Sequence, residues 1–358
     1  MRVFQFLSSL EPSAVGSHAV ALEAAMRSWG VETQMFSPIV AEAWRDRARP
    51  HTDYGRSFRA HRDDVLLYHL AIGSEVADHV LTRPERLVVD YHNFTPAEYF
   101  DRWAPQVVPG IRWGIAQRKA LGARAVLGLA DSAFNELDLR QDGYRATDVL
   151  PILLDPADFD RPVDEDCAVR LAHDKARGGI DLLFVGRIAP NKAQHDLVKV
   201  LYAYRKAFDP NARLRLVGGS SSDRYLDAVR TFAAELGLAD AVEFTGPVSG
   251  GQLAAHFRNA DVFVSVSEHE GFCVPLLESM AAGVPIVAYG STAIPGTLEG
   301  AGIVLDQKSP ELVAAAIDRV AHDRDLRDAL VRAGTERLDA FAPERTIATF
   351  RRQLEMLG

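Results

Sequence analysis

Cysteine, long apolar runs and clustered positive charge are all scarce in this chain. Its 358 residues include two cysteines, Cys167 and Cys273. Two cysteines this far apart in the sequence form neither a disulfide framework nor a zinc cluster, so we expect a reduced, cytosolic setting. No segment approaches the roughly 18 to 20 apolar residues of a membrane-spanning helix. The first apolar run is short and interrupted by Gln5, which predicts a buried strand rather than a signal peptide.

The charge balance argues against nucleic acid as the main partner. The formal net charge is −9, and no basic tract offsets it. Hydrophobic residues make up 47% of the chain and charged residues 25%, the proportions of a globular protein. The length is too great for one ordinary core and suits two domains.

Short apolar runs alternate with amphipathic helical stretches, a pattern that favours an α/β fold with mostly parallel sheets. The predicted strands of the first half are Arg2–Leu7, Val31–Phe36, Asp64–Tyr68, Arg86–Tyr91, Ala125–Leu129 and Asp148–Pro151. Those of the second half are Ile180–Val185, Arg213–Val217, Val242–Phe244, Asp261–Val266 and Pro285–Ala288. The predicted helices include Ala14–Trp29, Ile111–Leu121, Lys192–Phe208, Asp223–Leu236 and Glu344–Met356.

A proline- and aspartate-rich stretch near Leu154–Asp166 suits neither helix nor strand, and we place the domain linker there. The sequence therefore predicts two Rossmann-like domains, residues 1–160 and 161–343. In such domains the ligand-binding loops lie at the carboxyl ends of the strands. A ligand held by both domains would suit a transfer reaction.

The segment SEHEGFCVPLLE carries the strongest functional signal. Glu270 lies in a loop after an apolar strand, and Glu278 lies in a helix that Pro275 starts and Gly283 ends. An acidic loop beside a helix N-terminus suits a charged ligand with hydroxyl groups. Glu268 is a rival acid, but its spacing to Glu278 differs, and we expect it to be a solvated loop charge.

Two cations follow the first strand of the second half. Gly186 ends this strand and lets the chain turn close to a ligand, while Arg187 and Lys192 are spaced to flank a diphosphate. Arginine binds phosphate with two parallel hydrogen bonds, and lysine acts as a mobile point charge. Taken alone, both would be read as solvated cations at a helix start. Gly218 ends the next strand, where a phosphate contact and a tight turn explain glycine about equally well.

These segments resemble the retaining glycosyltransferases of the GT-B fold, family four in the usual sequence classification (glycosyl transferases group 1). The resemblance implies that Arg187 and Lys192 bind and neutralise the leaving nucleoside diphosphate, that Glu270 binds sugar hydroxyls and that Glu278 binds the ribose. It also implies a donor-binding role for main-chain groups of Gly16, Gly186, Gly218, Val248, Gly271, Phe272, Cys273 and Val274.

The resemblance extends to other positions and to the architecture. It places His92, which follows a strand of the first half, near the donor sugar and the acceptor, and Tyr68-His69 beside the acceptor. It implies two domains that face a central cleft, with a last helix, about 344–358, that packs on the N-terminal domain. The chain departs from the family at Ala193 and Cys273, where relatives often have glycine, and it has one glycine, Gly16, where they often have two.

No cluster of three His, Asp or Glu residues has metal-binding spacing in the sequence, so we expect no metal and no other cofactor. Arg187, Lys192 and the helix N-terminus would supply the electrostatic stabilisation. The predicted activity is a metal-independent, retaining transfer of a sugar from a nucleotide-sugar donor to an acceptor hydroxyl. The open alternatives are a nucleotide-sugar epimerase of the same architecture and a non-catalytic nucleotide-sugar-binding scaffold.

A peripheral membrane contact is a further hypothesis. Arg112, Arg118, Lys119 and Arg124, with Trp103 and Trp113 nearby, form a basic and aromatic segment suited to anionic lipid. The alternative is a solvated helix face.

Overall fold

The structure is a computed structural model that describes residues 1–154 and 161–357. It divides into two compact units: Met1–Glu98, Pro105–Asp155 and Phe341–Gly358 form unit 1, and Tyr99–Ala104 with Pro156–Ala340 form unit 2. The predicted linker near Leu154–Asp166 lies partly outside the described residues, and a helix already begins within it, at Glu165.

Unit 1 contains one parallel sheet. Its strands are β1 (Arg2–Leu7), β2 (Glu32–Phe36), β3 (Ala48–Arg49), β4 (Val65–Leu70), β5 (Arg86–Tyr91), β6 (Leu127–Ala130) and β7 (Thr147–Val149), in the order β3-β2-β1-β4-β5-β6-β7. All six residues of β4 are buried, as expected for a parallel strand covered on both faces. The alternation of strands and helices thus produced the predicted α/β class.

The helices of unit 1 are α1 (Ala14–Ser28), α2 (Glu75–Leu81), α3 (Val108–Gly122) and α4 (Ala133–Gln141). The first, second and fourth begin at a serine, Ser13, Ser74 or Ser132, whose hydroxyl accepts a hydrogen bond from an amide of the first turn. The last helix of the chain (Pro343–Glu355) also belongs to unit 1, where its Phe350 and Leu354 are buried beside Val65 and Leu22.

Unit 2 contains a second parallel sheet. Its strands are β8 (Asp181–Val185), β9 (Arg213–Val217), β10 (Val242–Gly246), β11 (Val262–Ser265), β12 (Ile286–Tyr289) and β13 (Ile303–Leu305), in the order β10-β9-β8-β11-β12-β13. Its helices are α5 (Glu165–Ala176), α6 (Gln194–Ala207), α7 (Asp223–Glu235), α8 (Gly250–Asn259), α9 (Val274–Ala281), α10 (Ile294–Leu298), α11 (Pro310–His322) and α12 (Arg324–Leu338); the helix at Pro343–Glu355 is then α13.

Three details differ from the sequence prediction. The short strands β3 and β13 were not predicted, because neither contains a long apolar run. The helix predicted to begin at Lys192 begins at Gln194, since Pro190–Lys192 forms a 3₁₀ turn and Ala193 is left-handed, with φ of 51°.

Among the described residues, no helix has the length and apolar character that crossing a membrane requires.

Candidate active site

The acidic loop between β11 and α9 is fixed on both sides by hydrogen bonds to polar groups of unit 2. The buried side-chain amide of Asn191 donates to the backbone carbonyl of His269 at 3.0 Å. The backbone carbonyl of Asn191 accepts from the backbone amide of Glu268 at 2.8 Å. On the other side, the hydroxyl of Thr292 accepts from the amide of Glu270 at 2.8 Å and donates to its carbonyl at 2.9 Å. The loop is therefore held in one shape before any ligand arrives.

Lys192 and Glu270 form an ion pair at this loop. Lys192 Nζ lies 2.5 Å from Glu270 Oε2, and the side chains are 18% and 9% exposed. The 3₁₀ turn at Pro190–Lys192 and the left-handed Ala193 direct the lysine toward the loop. A left-handed conformation favours glycine, which explains why relatives often have glycine at this position; nothing in the structure explains the alanine of this chain. The residues predicted to act in catalysis are Glu270, Arg187, Lys192 and His92, and the structure brings two of them, Lys192 and Glu270, into contact.

Arg187 is exposed, and within residues 1–154 and 161–357 its guanidinium makes no ion pair. Its backbone is nevertheless held, because the buried amide of Gln194 donates to the Arg187 carbonyl at 2.9 Å and its oxygen accepts from the Ala189 amide at 3.2 Å. The side chain is therefore available to an anion while its attachment point is rigid.

Gly186 and Gly218 end the neighbouring strands β8 and β9 and approach each other closely. A Cβ atom added at Gly218 would lie 2.3 Å from the carbonyl oxygen of Gly186, and the φ angle of Gly218 is 137°. Both facts require glycine whatever the strand end binds. The tight-turn explanation of Gly218 therefore holds, and it leaves the phosphate contact a prediction.

Gly271, Phe272, Cys273 and Val274 lead into α9. Phe272 is buried, and its carbonyl accepts from the hydroxyl of Thr297 at 2.8 Å. Cys273 caps the helix with a φ of 72°, a left-handed conformation that suits the glycine common in relatives. Burial, together with nearby Glu270, raises the pKa of the Cys273 thiol well above its ordinary value, which agrees with an inert thiol.

Glu278 is half-buried within α9, and Gly283, with φ of 67°, follows the helix end as expected. Glu268, expected to be a solvated charge, is instead paired with Lys308. The same lysine lies 2.6 Å from Asp196 Oδ2. Burial disfavours the charge on Lys308, but the two carboxylates outweigh it and raise the pKa of Lys308.

Val248 follows strand β10. It lines a cavity of about 650 Å³ that also includes Pro247, Gln252 and His256. The residues that line this cavity include neither Lys192 nor Glu270. The base-contacting role of Val248 stays a prediction.

In unit 1, Gly16 is needed by the chain itself. Its amide donates to the hydroxyl of Ser13 at 3.1 Å, and an added Cβ would lie 2.0 Å from the carbonyl oxygen of Glu11. These contacts explain the glycine without a ligand, and a contact with the diphosphate stays a prediction.

His92 belongs to a buried cluster of unit 1 that the sequence spacing did not reveal. Its Nδ1 lies 2.9 Å from Asp131 Oδ1, and its Nε2 lies 3.1 Å from His69 Nδ1 and 3.5 Å from Asp90 Oδ2. His18 Nε2 lies 3.0 Å from the same Asp90 oxygen. Both ring nitrogens of His92 thus have partners within unit 1, and its role beside a sugar stays a prediction.

This cluster bears on two statements made from the sequence. The sequence spacing shows no cluster of three His, Asp or Glu residues, but in unit 1 the fold brings such residues together from α1, β4, β5 and the segment after β6. The expectation that the chain holds no metal stays a prediction. Tyr68 and His69 are fully buried rather than lining a surface, and Tyr68 bonds to Ser74 at 2.9 Å. Burial lowers the pKa of His69 to about 4. Burial also opposes the charge on His92, but Asp131 and Asp90 raise the pKa of His92 to about 9.

The basic segment near α3 is smaller than the sequence suggested. Arg118 is buried, with its Nε 2.6 Å from Asp142 Oδ2 and its guanidinium over the ring of Tyr91. Arg124 donates to main-chain carbonyls, and Trp103 belongs to unit 2, where it packs on Tyr225. Exposed residues of the segment are Arg112, Lys119 and Trp113, the last with 43% of its surface accessible.

Comparison with known proteins places the family match within unit 2. Residues 170–337 match the family model described as glycosyl transferases group 1. A GDP-mannose-dependent alpha-(1-6)-phosphatidylinositol monomannoside mannosyltransferase of Mycobacterium tuberculosis is 37% identical over 161 residues, 42% of this chain and 41% of that relative. A D-inositol 3-phosphate glycosyltransferase of Geodermatophilus obscurus is 36% identical over 244 residues, 65% of this chain and 52% of that relative.

The chain thus matches about half the length of these curated relatives. Solved structures extend the likeness to the whole fold. Sucrose-phosphate synthase from Thermosynechococcus elongatus superposes with a TM-score of 0.76 at 19% identity, covering 100% of this chain and 99% of that one. Anabaena HepE in complex with UDP and glucose gives a TM-score of 0.77 at 15% identity, with 99% and 100% covered. Residues 170–337 are therefore similar to the glycosyl transferases group 1, and the chain has the GT-B fold.

Proposed function

We propose that the chain is a retaining glycosyltransferase that moves a sugar from a nucleoside-diphosphate sugar to an acceptor hydroxyl without a metal ion. The observation that carries this proposal is the contact between Lys192 and Glu270 in a loop fixed by Asn191 and Thr292. The family match of residues 170–337 supports the reaction class. The named relatives are transferases, which disfavours the epimerase and the non-catalytic scaffold.

The charges of the loop suit a nucleotide sugar. Glu270, Lys192 and Arg187 together carry one net positive charge, and the two cations follow directly from the end of β8. Lys192 is held by Glu270 in the absence of ligand, so it needs little reordering when a diphosphate arrives. The carboxylate oxygens of Glu270 accept hydrogen bonds only, which suits the hydroxyl groups of a sugar.

The proposed chemistry relies on charge stabilisation at the leaving group. When the bond between the sugar and the diphosphate breaks, negative charge grows on the β-phosphate. Lys192 and Arg187 stabilise that charge in the position where a metal ion acts in other enzymes. The acceptor hydroxyl attacks from the face that the diphosphate leaves, and a phosphate oxygen takes its proton, so the anomeric configuration is retained.

The acceptor is proposed to bind unit 1. The named relatives act on a phosphatidylinositol mannoside and on D-inositol 3-phosphate. Inositol derivatives, free or lipid-linked, are therefore the first acceptors to test.

The test is a transfer assay with radiolabelled UDP-, GDP- and ADP-sugars, the inositol acceptors and no added metal. We expect one donor to be used, an unchanged rate on addition of Mg²⁺ or Mn²⁺, and retention of anomeric configuration by ¹H NMR. Glu270→Ala and Lys192→Ala should abolish transfer, while Lys199→Ala should not. Lys199 lies on α6 and pairs with Asp196 at 2.7 Å. Product formed from donor alone, with no acceptor consumed, would instead identify an epimerase.

A further inference from the structure

The buried histidine–aspartate cluster of unit 1 has a composition that the proposed transfer does not explain. His18, on α1, His69, on β4, and Asp90, on β5, have at most 1% of their surface exposed. The side chains of His92 and Asp131 are 1% and 5% exposed. Five ionisable groups therefore share a site with almost no solvent, where charge must be balanced locally.

Neighbouring groups fix the protons of two histidines. The amide of Leu153 donates to His18 Nδ1 at 2.7 Å, so a neutral His18 carries its proton on Nε2 and donates it to Asp90 Oδ2. The side-chain amide nitrogen of Gln5 donates to the carbonyl of Ala19, which leaves its oxygen to accept from His69 Nε2 at 2.8 Å. His69 Nδ1 is then an unprotonated nitrogen that faces the cluster.

His92 adds a third atom with a free lone pair that points into the cluster. Its Nδ1 proton is directed to Asp131, so its Nε2 faces His69 and Asp90. The separations among His69 Nδ1, His92 Nε2 and Asp90 Oδ2 are 3.1, 3.2 and 3.5 Å. A metal ion with bonds of about 2.0 to 2.2 Å places neighbouring ligand atoms roughly 3.0 to 3.5 Å apart, from octahedral to tetrahedral geometry. One proton bridges a single pair of these atoms, whereas a metal ion binds all three.

The charge balance of the cluster also favours a divalent metal ion. Asp90 and Asp131 are two carboxylates, and the ion-pair partners recorded for them within the described residues are histidines alone. With both carboxylates ionised, a proton on His92 leaves one negative charge uncompensated, whereas a divalent cation with neutral histidines leaves none. In addition, Asp90 Oδ1 is buried without a hydrogen-bond partner in the described part of the chain. This oxygen is free to become a further ligand atom.

We propose that unit 1 binds one divalent transition-metal ion of the zinc class through His69 Nδ1, His92 Nε2 and the carboxylate of Asp90. Nitrogen and carboxylate ligands of this kind suit zinc and its first-row neighbours. Gln5 and Asp131 accept the second ring proton of each histidine, the arrangement that orients metal-bound imidazoles. The ion ties β4 to the end of β5, so its role is to stabilise unit 1, apart from the donor chemistry of unit 2.

The first experiment measures metal content and needs no variant. The full chain, purified without added metal or chelator, is assayed by inductively coupled plasma mass spectrometry. It is then stripped by dialysis against a strong chelator at mildly acidic pH, returned to neutral pH and titrated with Co²⁺. We expect close to one Zn²⁺ or related ion per chain as purified. The stripped protein should bind one Co²⁺, with visible d–d absorption and an unfolding midpoint raised by several degrees.

Variants assign the signal to the cluster. His69→Gln and Asp90→Asn should reduce bound Co²⁺ at least tenfold, and His79→Gln should leave it unchanged. His79 is a half-buried histidine on α2 of the same unit and is outside the cluster. Less than a tenth of an equivalent of metal as purified, with no Co²⁺ spectrum and no shift of the midpoint, would overturn the proposal. The occupant would then be a proton on His92.

Discussion

Replacing Lys192 with methionine should destabilise unit 2, because it leaves the carboxylate of Glu270 without its partner. Removing one member of a fully buried ion pair costs roughly 3 to 5 kcal/mol, and an exposed pair contributes about 0 to 1 kcal/mol. With side-chain exposures of 18% and 9%, the pair of Lys192 and Glu270 lies nearer the buried limit. We therefore expect the free energy of unfolding of unit 2 to fall by about 2 to 3 kcal/mol.

Thermal unfolding measures this change, and Lys199→Met is its matched control. For a domain of this size, each kcal/mol lowers the midpoint by about 2 to 4 °C, so Lys192→Met should lose at least several degrees. Lys199 pairs with Asp196 within α6, and its side chain is 44% exposed. Such a pair within one helix contributes about 0.3 to 0.5 kcal/mol, so its loss should change the midpoint by about 1 to 2 °C at most. The double variant Lys192→Met/Glu270→Gln should recover part of the stability, because no unpaired charge then remains. Equal midpoints for Lys192→Met and Lys199→Met would refute the reasoning.

Four further outcomes are expected. Gly218→Ala should lower the unfolding midpoint of unit 2 strongly, because its Cβ would lie 2.3 Å from the Gly186 carbonyl oxygen; a midpoint within a degree of the parent would contradict the packing described. Asn191→Ala should lower the free energy of unfolding, measured in urea, by about 1 to 3 kcal/mol, because it leaves buried polar groups without hydrogen-bond partners. It should also raise the KM for the sugar donor more than Lys199→Ala does. Burial lowers the pKa of His256 from 6.5 to about 4, so the unfolded chain takes up a proton at a higher pH than the folded chain does. The free energy of unfolding should therefore fall between pH 6.5 and about 4. His256→Gln should make this pH dependence less steep, and an unchanged pH dependence would contradict the assignment. Sedimentation with anionic vesicles at low salt should decrease in Trp113→Ser, whose parent side chain is 43% exposed; no binding of the parent chain would remove the membrane hypothesis.

The sequence predicted best those strands of five or six residues in which most side chains are apolar. The bounds of Arg2–Leu7, Arg86–Tyr91 and Arg213–Val217 agree with the structure. It failed at β3 and β13, because a strand of two or three residues at the edge of a sheet has too few buried positions to produce a pattern. Such edge strands are recognised only once their neighbours are placed.

The candidate site was predictable in its members but not in its contacts. The resemblance singled out Lys192 and Glu270, yet nothing in the sequence indicated that they touch or that Asn191 and Thr292 fix the loop between them. The sequence did show the unusual Ala193 and Cys273, and the structure supplies their common feature, a left-handed backbone.

The histidine cluster could not be inferred from spacing. Its members are up to 113 positions apart, from His18 to Asp131. Strands β4, β5 and β6 are neighbours in the sheet of unit 1, and this adjacency alone brings their ends together. Residue spacing detects clusters within one helix or loop, whereas this one depends on strand order.

The measurement that tests the central claim most directly is a thermal-shift panel of UDP, GDP, ADP, TDP and CDP without metal, on the parent chain and on Lys192→Ala. A ligand at about 100 times its dissociation constant adds roughly 2.7 kcal/mol to the stability of the state that binds it, which is several degrees in the midpoint. The account predicts a shift with one nucleotide that is lost in Lys192→Ala. No shift with any nucleotide, or an equal shift in the variant, would contradict the diphosphate site proposed at Lys192 and Glu270.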